Sequence, residues 1–200
     1  MYSSQMEQAR ELARQQGILR PRDFVARGLH GAYLGRLERE GMVERLGRGI
    51  YRGLAVETTE QHTLAEVCRR APHAVVCLLS ALRFHNLTTQ SPAEVWLAIG
   101  SKARAPRSDL VPLRIVRFSA AAFTAGVTEH LVEGVPVRVY DPAKTVADCF
   151  KYRNKIGLDV ALEALRAGWR EHRLTMDQIW HYAAICRMTN IMRPYLEGLV

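Results

Sequence analysis

HGAYLGRLEREGMVERLGRGIYR, residues 30–52, is the stretch on which the reading of this chain turns. Gly31 to Glu40 predicts a helix and Gly41 its stop. At ~100° per residue, Leu34 and Leu37 lie ~60° apart on one face, and Arg36 and Arg39 lie ~60° apart on roughly the opposite one. Tyr33 sits at the border. A helix that buries two leucines and projects two arginines suits a DNA major groove, where the guanidinium fork meets O6 and N7 of guanine. A solvated helix with its arginines balanced by Glu38 and Glu40 has the same pattern. The next residues separate the two. In MVERLGRGIYR, Val43, Leu46, Ile50 and Tyr51 are strand-like, and Gly47-Arg48-Gly49 predicts a hairpin tip. Arg45, Arg48 and Arg52 around that tip match a wing lying on phosphates. Gly-Arg-Gly here opens no helix with a third glycine, so it is not a dinucleotide-binding turn, and no phosphate-binding GxxxxGK[ST] loop occurs.

Upstream, Met6, Ala9, Leu12 and Ala13 recur at helical spacing from about Ser3 to Gln16, with Ser3 or Ser4 as cap and Gly17 as stop. A short second helix is expected from Pro21, at the tolerated first turn, to Arg27, before Gly28. Three helices followed by a hairpin with a basic tip is the order of a winged helix-turn-helix. The candidate DNA contacts are therefore Arg20, Arg22, His30, Tyr33, Arg36, Arg39, Arg45, Arg48 and Arg52.

Charge supports this division. The 200 residues carry 28 Lys+Arg against 20 Asp+Glu, a net +8, and 24 of the 28 cations are arginine. Residues 1–52 hold a net +4, residues 100–118 another +4, and the remainder is close to neutral. Such a balance favours an anionic partner, nucleic acid first. With 48% hydrophobic and 24% charged residues, the chain is globular and long enough for one large or two small domains. Cys68, Cys77, Cys149 and Cys186 form no CxxC pair, which excludes a zinc ribbon or thioredoxin-like site and suggests buried thiols in a reducing compartment. The N-terminus lacks the apolar core of a signal peptide, and the longest apolar run, Ala74 to Leu82, is too short for a bilayer. A soluble, cytoplasmic protein without membrane contact is expected.

Beyond a linker at Gly53–Glu57, a helix is expected from Thr58 to Arg70. Ala74–Leu87 fits helix better than strand. Glu94–Ile99, Leu113–Phe118 and Val135–Tyr140 read as strands, the last with alternating valines after a Glu133-Gly134 turn. From Asp141, a cap followed by Pro142, the chain reads as helices at Pro142–Tyr152, Leu158–His172, Thr175–Arg187 and Met192–Gly198. The fold class is α+β: an N-terminal winged helix-turn-helix over 1–57, then a mixed α+β domain over 58–200 ending in a helical bundle.

Catalytic and metal signals are weak. His62 and Glu66, four apart on a helix, lack a third ligand and read as a surface pair. His85 reads as a helix-end histidine. Lys144 and Asp148, also four apart, read as a modest surface or semi-buried pair. The basic run Ser101–Arg107 reads as a solvated mobile loop, with DNA flanks, RNA or an acidic partner as the other reading. No nuclease Glu-x-Lys motif lies on a strand, and no nucleophile has a recognisable setting. An enzyme, a metal site and a cofactor are therefore not expected.

Three stretches resemble the AbiEi family, the antitoxin and transcriptional-regulator component of type IV toxin–antitoxin systems. Residues 30–52 are similar to its recognition helix and wing. AVVCLLSALRFHNLT, residues 74–88, is similar to the opening of its C-terminal domain. GVPVRVYDPAKTVADCFKYRNKIGLDVALEAL, residues 134–165, is similar to its strand-to-helix core. The resemblance implies a repressor that binds inverted repeats in its own promoter through the winged helix. It also implies opposition to a nucleotidyltransferase-like toxin without a stable complex. Lys144, Thr145, Asp148, Arg153 and Glu163 match the family-like pattern and carry no catalytic role over; the first four mark a candidate functional surface. A stand-alone winged-helix transcription factor, with a ligand-sensing or dimerising C-terminal domain, is the alternative. The oligomeric state, whether dimeric or cooperative on DNA, is left open.

Overall fold

The computed structural model describes residues 2–55, 61–108 and 111–199, and side chains from Gln5 onwards. The expected helix start at Thr58, the last two linker residues and the 57/58 boundary lie outside the described residues. The chain forms mixed α+β structure with two sheets and divides into two compact units, Met1–Arg69 with Leu131–Pro136, and Arg70–His130 with Val137–Val200.

In the first unit, α1 (Tyr2–Gln15), α2 (Pro21–Val25) and α3 (Tyr33–Arg39) precede a hairpin of β2 (Val43–Gly47) and β3 (Ile50–Gly53). Because α1 begins at Tyr2, Ser3 and Ser4 lie within it; their side chains are outside the described residues. The sequence reading missed β1 (Ile18–Leu19), which pairs antiparallel with β3 and makes the sheet three-stranded, in the order β1-β3-β2. Two residues give no periodicity to detect, so only pairing makes this strand. Ala9, Leu12, Leu19, Phe24, Leu29, Leu34, Leu37 and Val43 form the core. Gly53 lies where a Cβ would meet the Ala13 and Gln16 carbonyls at 2.5 Å, so only glycine allows β3 to reach that turn. The unit extends past the expected boundary because α4 (His62–Arg70) belongs to it up to Arg69: Arg69 pairs with Asp23, and His62 Nδ1 lies 2.6 Å from Glu133 Oε2. His62 thus pairs with Glu133, and Glu66 is buried rather than at the surface, which corrects the expected His62–Glu66 pair. Seventy-one residues separate His62 from Glu133, a distance no local pattern encodes.

The second unit is built on a five-stranded sheet in the order β6-β5-β4-β8-β7, whose β7–β8 turn, Leu131–Pro136, is counted with the first unit. These strands are β4 (Val75–Val76), β5 (Val95–Gly100), β6 (Leu113–Phe118), β7 (Val127–Val132) and β8 (Val135–Tyr140). β5 and β6 run parallel with Val95 opposite Leu113, and β4 pairs antiparallel with β5 and parallel with β8. The apolar run expected as one helix splits into β4 and α5 (Leu78–Phe84), with Cys77 between them in extended conformation. Burial on both faces removes the period-2 signal by which a strand is read. The short α6 (Ala120–Thr124) and the strand β7 were also missed. After Asp141, whose carboxylate accepts from the Lys144 amide at 2.8 Å, come α7 (Pro142–Lys151), α8 (Arg153–Ile156), α9 (Leu158–Arg170), α10 (Met176–Cys186) and α11 (Thr189–Glu197). The helices α7, α9, α10 and α11 share one core, which contains Val146, Phe150, Leu165, Ile179 and Met192. No helix of the described residues is long and apolar enough to cross a membrane.

Candidate nucleic-acid interface

The geometry of α3 follows its sequence. Leu34 and Leu37 are buried, and Tyr33 is 8% exposed with its hydroxyl donating to Gln5 Oε1 at 3.1 Å. Ala32, Arg36 and Arg39 are exposed on the opposite side. The Arg36 guanidinium carbon lies 5.8 Å from the centre of the Tyr33 ring, and Arg39 Nε donates to the Gly35 carbonyl at 3.1 Å. Both guanidinium groups are thereby steadied without being neutralised. Gly35 sits between these exposed residues, and a Cβ built on it meets nothing within 4 Å. A glycine inside a helix costs about 1 kcal/mol relative to alanine, and no packing within the unit requires one here.

At the hairpin, Gly47 pairs with Ile50, which leaves Arg48-Gly49 as a two-residue turn with Gly49 at φ +69°. Arg48 is exposed and has no hydrogen-bond or ion-pair partner among the described residues. Arg45 is exposed on β2 and reaches the Gly47 carbonyl at 3.5 Å. Arg52 differs. It faces Glu44 across the strand pair and bonds it at 2.5 Å, so much of its charge is spent within the sheet. Among the others, Arg22 and His30 are exposed, with His30 Nδ1 accepting from the Ala32 amide at 3.1 Å. Arg20 is half-buried at the start of α2, its amide donating to Asp23 at 2.7 Å. Arg27, exposed just after α2, was not among the expected contacts although it lies in the same basic segment. Three acids of the unit are drawn to α1 (Glu40 accepts from Arg10 at 3.1 and 3.3 Å, and Glu7 and Glu11 pair with Arg14), while Glu44 is taken by Arg52 and Glu38 stays exposed on α3. The exposed cations of α3 and the β2–β3 turn are left facing solvent.

In the second unit the expected functional surface is corrected. Lys144, Thr145 and Asp148 are 0% exposed, so they form an interior cluster, while Arg153 is half-buried and donates to the Phe150 carbonyl at 2.9 Å. Lys144 Nζ lies 2.5 Å from Asp148 Oδ2 and 4.2 Å and 4.8 Å from the ring centres of Tyr140 and Phe118. Asp148 Oδ1 accepts from the Cys186 thiol at 3.2 Å, and the Thr145 hydroxyl donates to the Tyr140 carbonyl. Phe118 stacks between Tyr140 and Tyr152 at 5.5 and 5.6 Å. Burial pushes the Asp148 carboxyl upward against the pull of Lys144, and it also pushes the Cys186 thiol up to about 12. The same burial raises Cys68 to about 12 and Cys77 and Cys149 well above 9.0. All four cysteines are free, buried thiols, unreactive at neutral pH. Glu163, on α9, accepts from both the amide and the hydroxyl of Thr89. The described residues contain no group of three or more His, Cys, Asp or Glu that could hold a metal ion.

Residues 7–52 match the family of transcriptional regulators described as AbiEi antitoxin, which bears out the resemblance read in residues 30–52. The stretches 74–88 and 134–165 lie outside that match. No curated protein matches the chain. Among solved structures, the RV2827C protein from Mycobacterium tuberculosis has a similar fold, with a TM-score of 0.51 and 13% identity, over 94% of this chain and 78% of that one.

Proposed function

We propose that the first unit is a winged helix-turn-helix that reads DNA. In this reading α3 enters the major groove and the Arg48-Gly49 turn lies on phosphates as the wing. The observation that carries it is the outward face of α3, where Arg36 and Arg39 are exposed beside a half-buried glycine whose Cβ position meets nothing within 4 Å. A groove floor approached closely by the helix backbone supplies the missing reason. On this reading the chain is a cytoplasmic repressor that binds inverted repeats in its own promoter. It also protects the cell from a nucleotidyltransferase-like toxin, without a stable complex and without catalysis, metal or cofactor of its own. The match of residues 7–52 to AbiEi antitoxin regulators supports both halves of this role.

A mobility-shift assay of the full chain on the DNA upstream of its reading frame tests the proposal. Each phosphate neutralised steepens log K against log salt by roughly 0.9. Arg36→Ala is expected to lose about 1–3 kcal/mol of discrimination between the promoter and unrelated DNA. Arg48→Ala is expected to weaken all sequences alike and lower the salt slope by about one. Equal affinity of the unaltered chain for every duplex would sink the reading.

A further inference from the structure

The second unit contains a cleft of about 620 Å³ at the end of β5, within the size range of small-molecule sites. Its base is apolar: Ile99 is buried, and Phe123 from α6 is half-buried. One wall is Ala71-Pro72, and the other is Ala105-Pro106 of the loop between β5 and β6. That loop joins two parallel strands, and its described residues form no helix. Its first residues are tied down: Arg117 Nη1 donates to the carbonyls of Gly100, Ser101 and Ala103 at 3.3, 2.9 and 2.8 Å, and the Ala103 amide donates to the Gly100 carbonyl at 3.0 Å. This anchors the loop at its β5 end, next to the wall formed by Ala105 and Pro106. The rim is cationic. Arg104 and Arg107 line the cleft, are exposed, and have no acidic partner among the described residues. His73 completes the rim on the opposite wall.

We propose that this cleft binds a small amphipathic organic anion, with a ring or short chain on the apolar base and a carboxylate or phosphate head held by Arg104 and Arg107. Guanidinium forks bind both kinds of head. Two walls around an apolar base suit a compact ligand, whereas a duplex backbone would touch only the rim. The site is independent of the DNA-reading proposal for the first unit.

Displacement of the fluorescent probe 8-anilinonaphthalene-1-sulfonate from the full chain tests this. The competitors are 4-phenylbutyrate, phenylpropyl phosphate and the neutral 4-phenylbutanol. Saturable displacement by at least one of the two anions is expected, with the alcohol about tenfold weaker or more, the effect of losing one charge-assisted contact. The two anions together show which head the site prefers. The double variant Arg104→Ala/Arg107→Ala should lose that preference while still binding the alcohol. Ala105→Trp, at an exposed wall position, should block anion and alcohol alike, and a circular-dichroism melt shows whether each variant is folded. Equal displacement by the alcohol, no saturable displacement by either anion, or unchanged anion binding in the double variant would overturn the proposal. Displacement only by an oligonucleotide or a polyglutamate would also overturn it and mark the cleft as part of a macromolecular surface.

Discussion

Lys144 and Asp148 show how far one side chain's meaning depends on what surrounds it. The spacing of four is legible in the sequence, and so is the possibility of a pair. Its burial is not, because the residues that cover it come from β6, β8 and α10. Removing one partner leaves the other charge buried and uncompensated, which costs about 3–5 kcal/mol, while replacing both with apolar residues of similar volume is close to neutral. Asp148→Ala is therefore expected to lower the urea midpoint far more than Lys144→Met/Asp148→Leu does; equal losses would mean the pair is not acting as a unit. His85 gives a second test. Its Nε2 donates to the Tyr140 carbonyl at 2.7 Å, and burial, with help from His130 and Arg173, holds its pKa below the usual 6.5. The unfolded chain takes up a proton there before the folded one does, so stability is lost as the pH falls through 6.5 toward the lower folded value. His85→Gln, an uncharged donor, should flatten this loss in denaturation curves recorded over that interval. An unchanged pH dependence would remove His85 from the account.

α3 shows where an element departs from what its own stability would select. Alanine at position 35 would fit, since no atom lies within 4 Å of the Cβ, and it would favour the helix by about 1 kcal/mol. Gly35→Ala is accordingly expected to raise the thermal midpoint and to weaken promoter binding. If it stabilises the chain and leaves DNA affinity unchanged, the close approach of the α3 backbone to the groove is wrong. The turn after β2 makes a related point. Arg48 and Arg52 read alike in the sequence, yet Glu44 engages only Arg52. Arg52→Ala should therefore reduce the salt slope of DNA binding by less than Arg48→Ala does, as measured in the same titration.

For the whole molecule, the two units are not two consecutive lengths of chain. The first unit includes Leu131–Pro136, where the Glu133 carbonyl accepts from the Gly17 amide at 3.0 Å and its carboxylate meets His62. A fragment of residues 1–57 lacks these contacts as well as the Asp23–Arg69 pair. It is expected to melt below the first transition of the full chain, and a fragment melting at the same temperature would show these contacts to be dispensable. Separation of activities belongs to this scale too. Under the proposed role, Arg36→Ala in the full chain should lose repression and keep protection against a toxin, read as promoter output and growth. If protection disappears together with DNA binding, the chain acts only by lowering transcription.

Local chemistry is what the sequence by itself determined. The leucine and arginine faces of α3, the glycine-flanked turn, the cap at Asp141 and the alternating valines of β8 all lie within a few residues of one another. Propensity and period act over that range. Tertiary structure alone decided the rest. β1 is a strand only because β3 pairs with it, and β4 only because β5 and β8 pair along both of its edges. Lys144 is interior only because Phe118 and Tyr140 close over it, and the loop after β5 is tied at its start only because Arg117 reaches the carbonyls of Gly100, Ser101 and Ala103. Each of these rests on partners far along the chain. Their energy comes from burial and pairing that exist only after the chain has folded, so no window of sequence contains it.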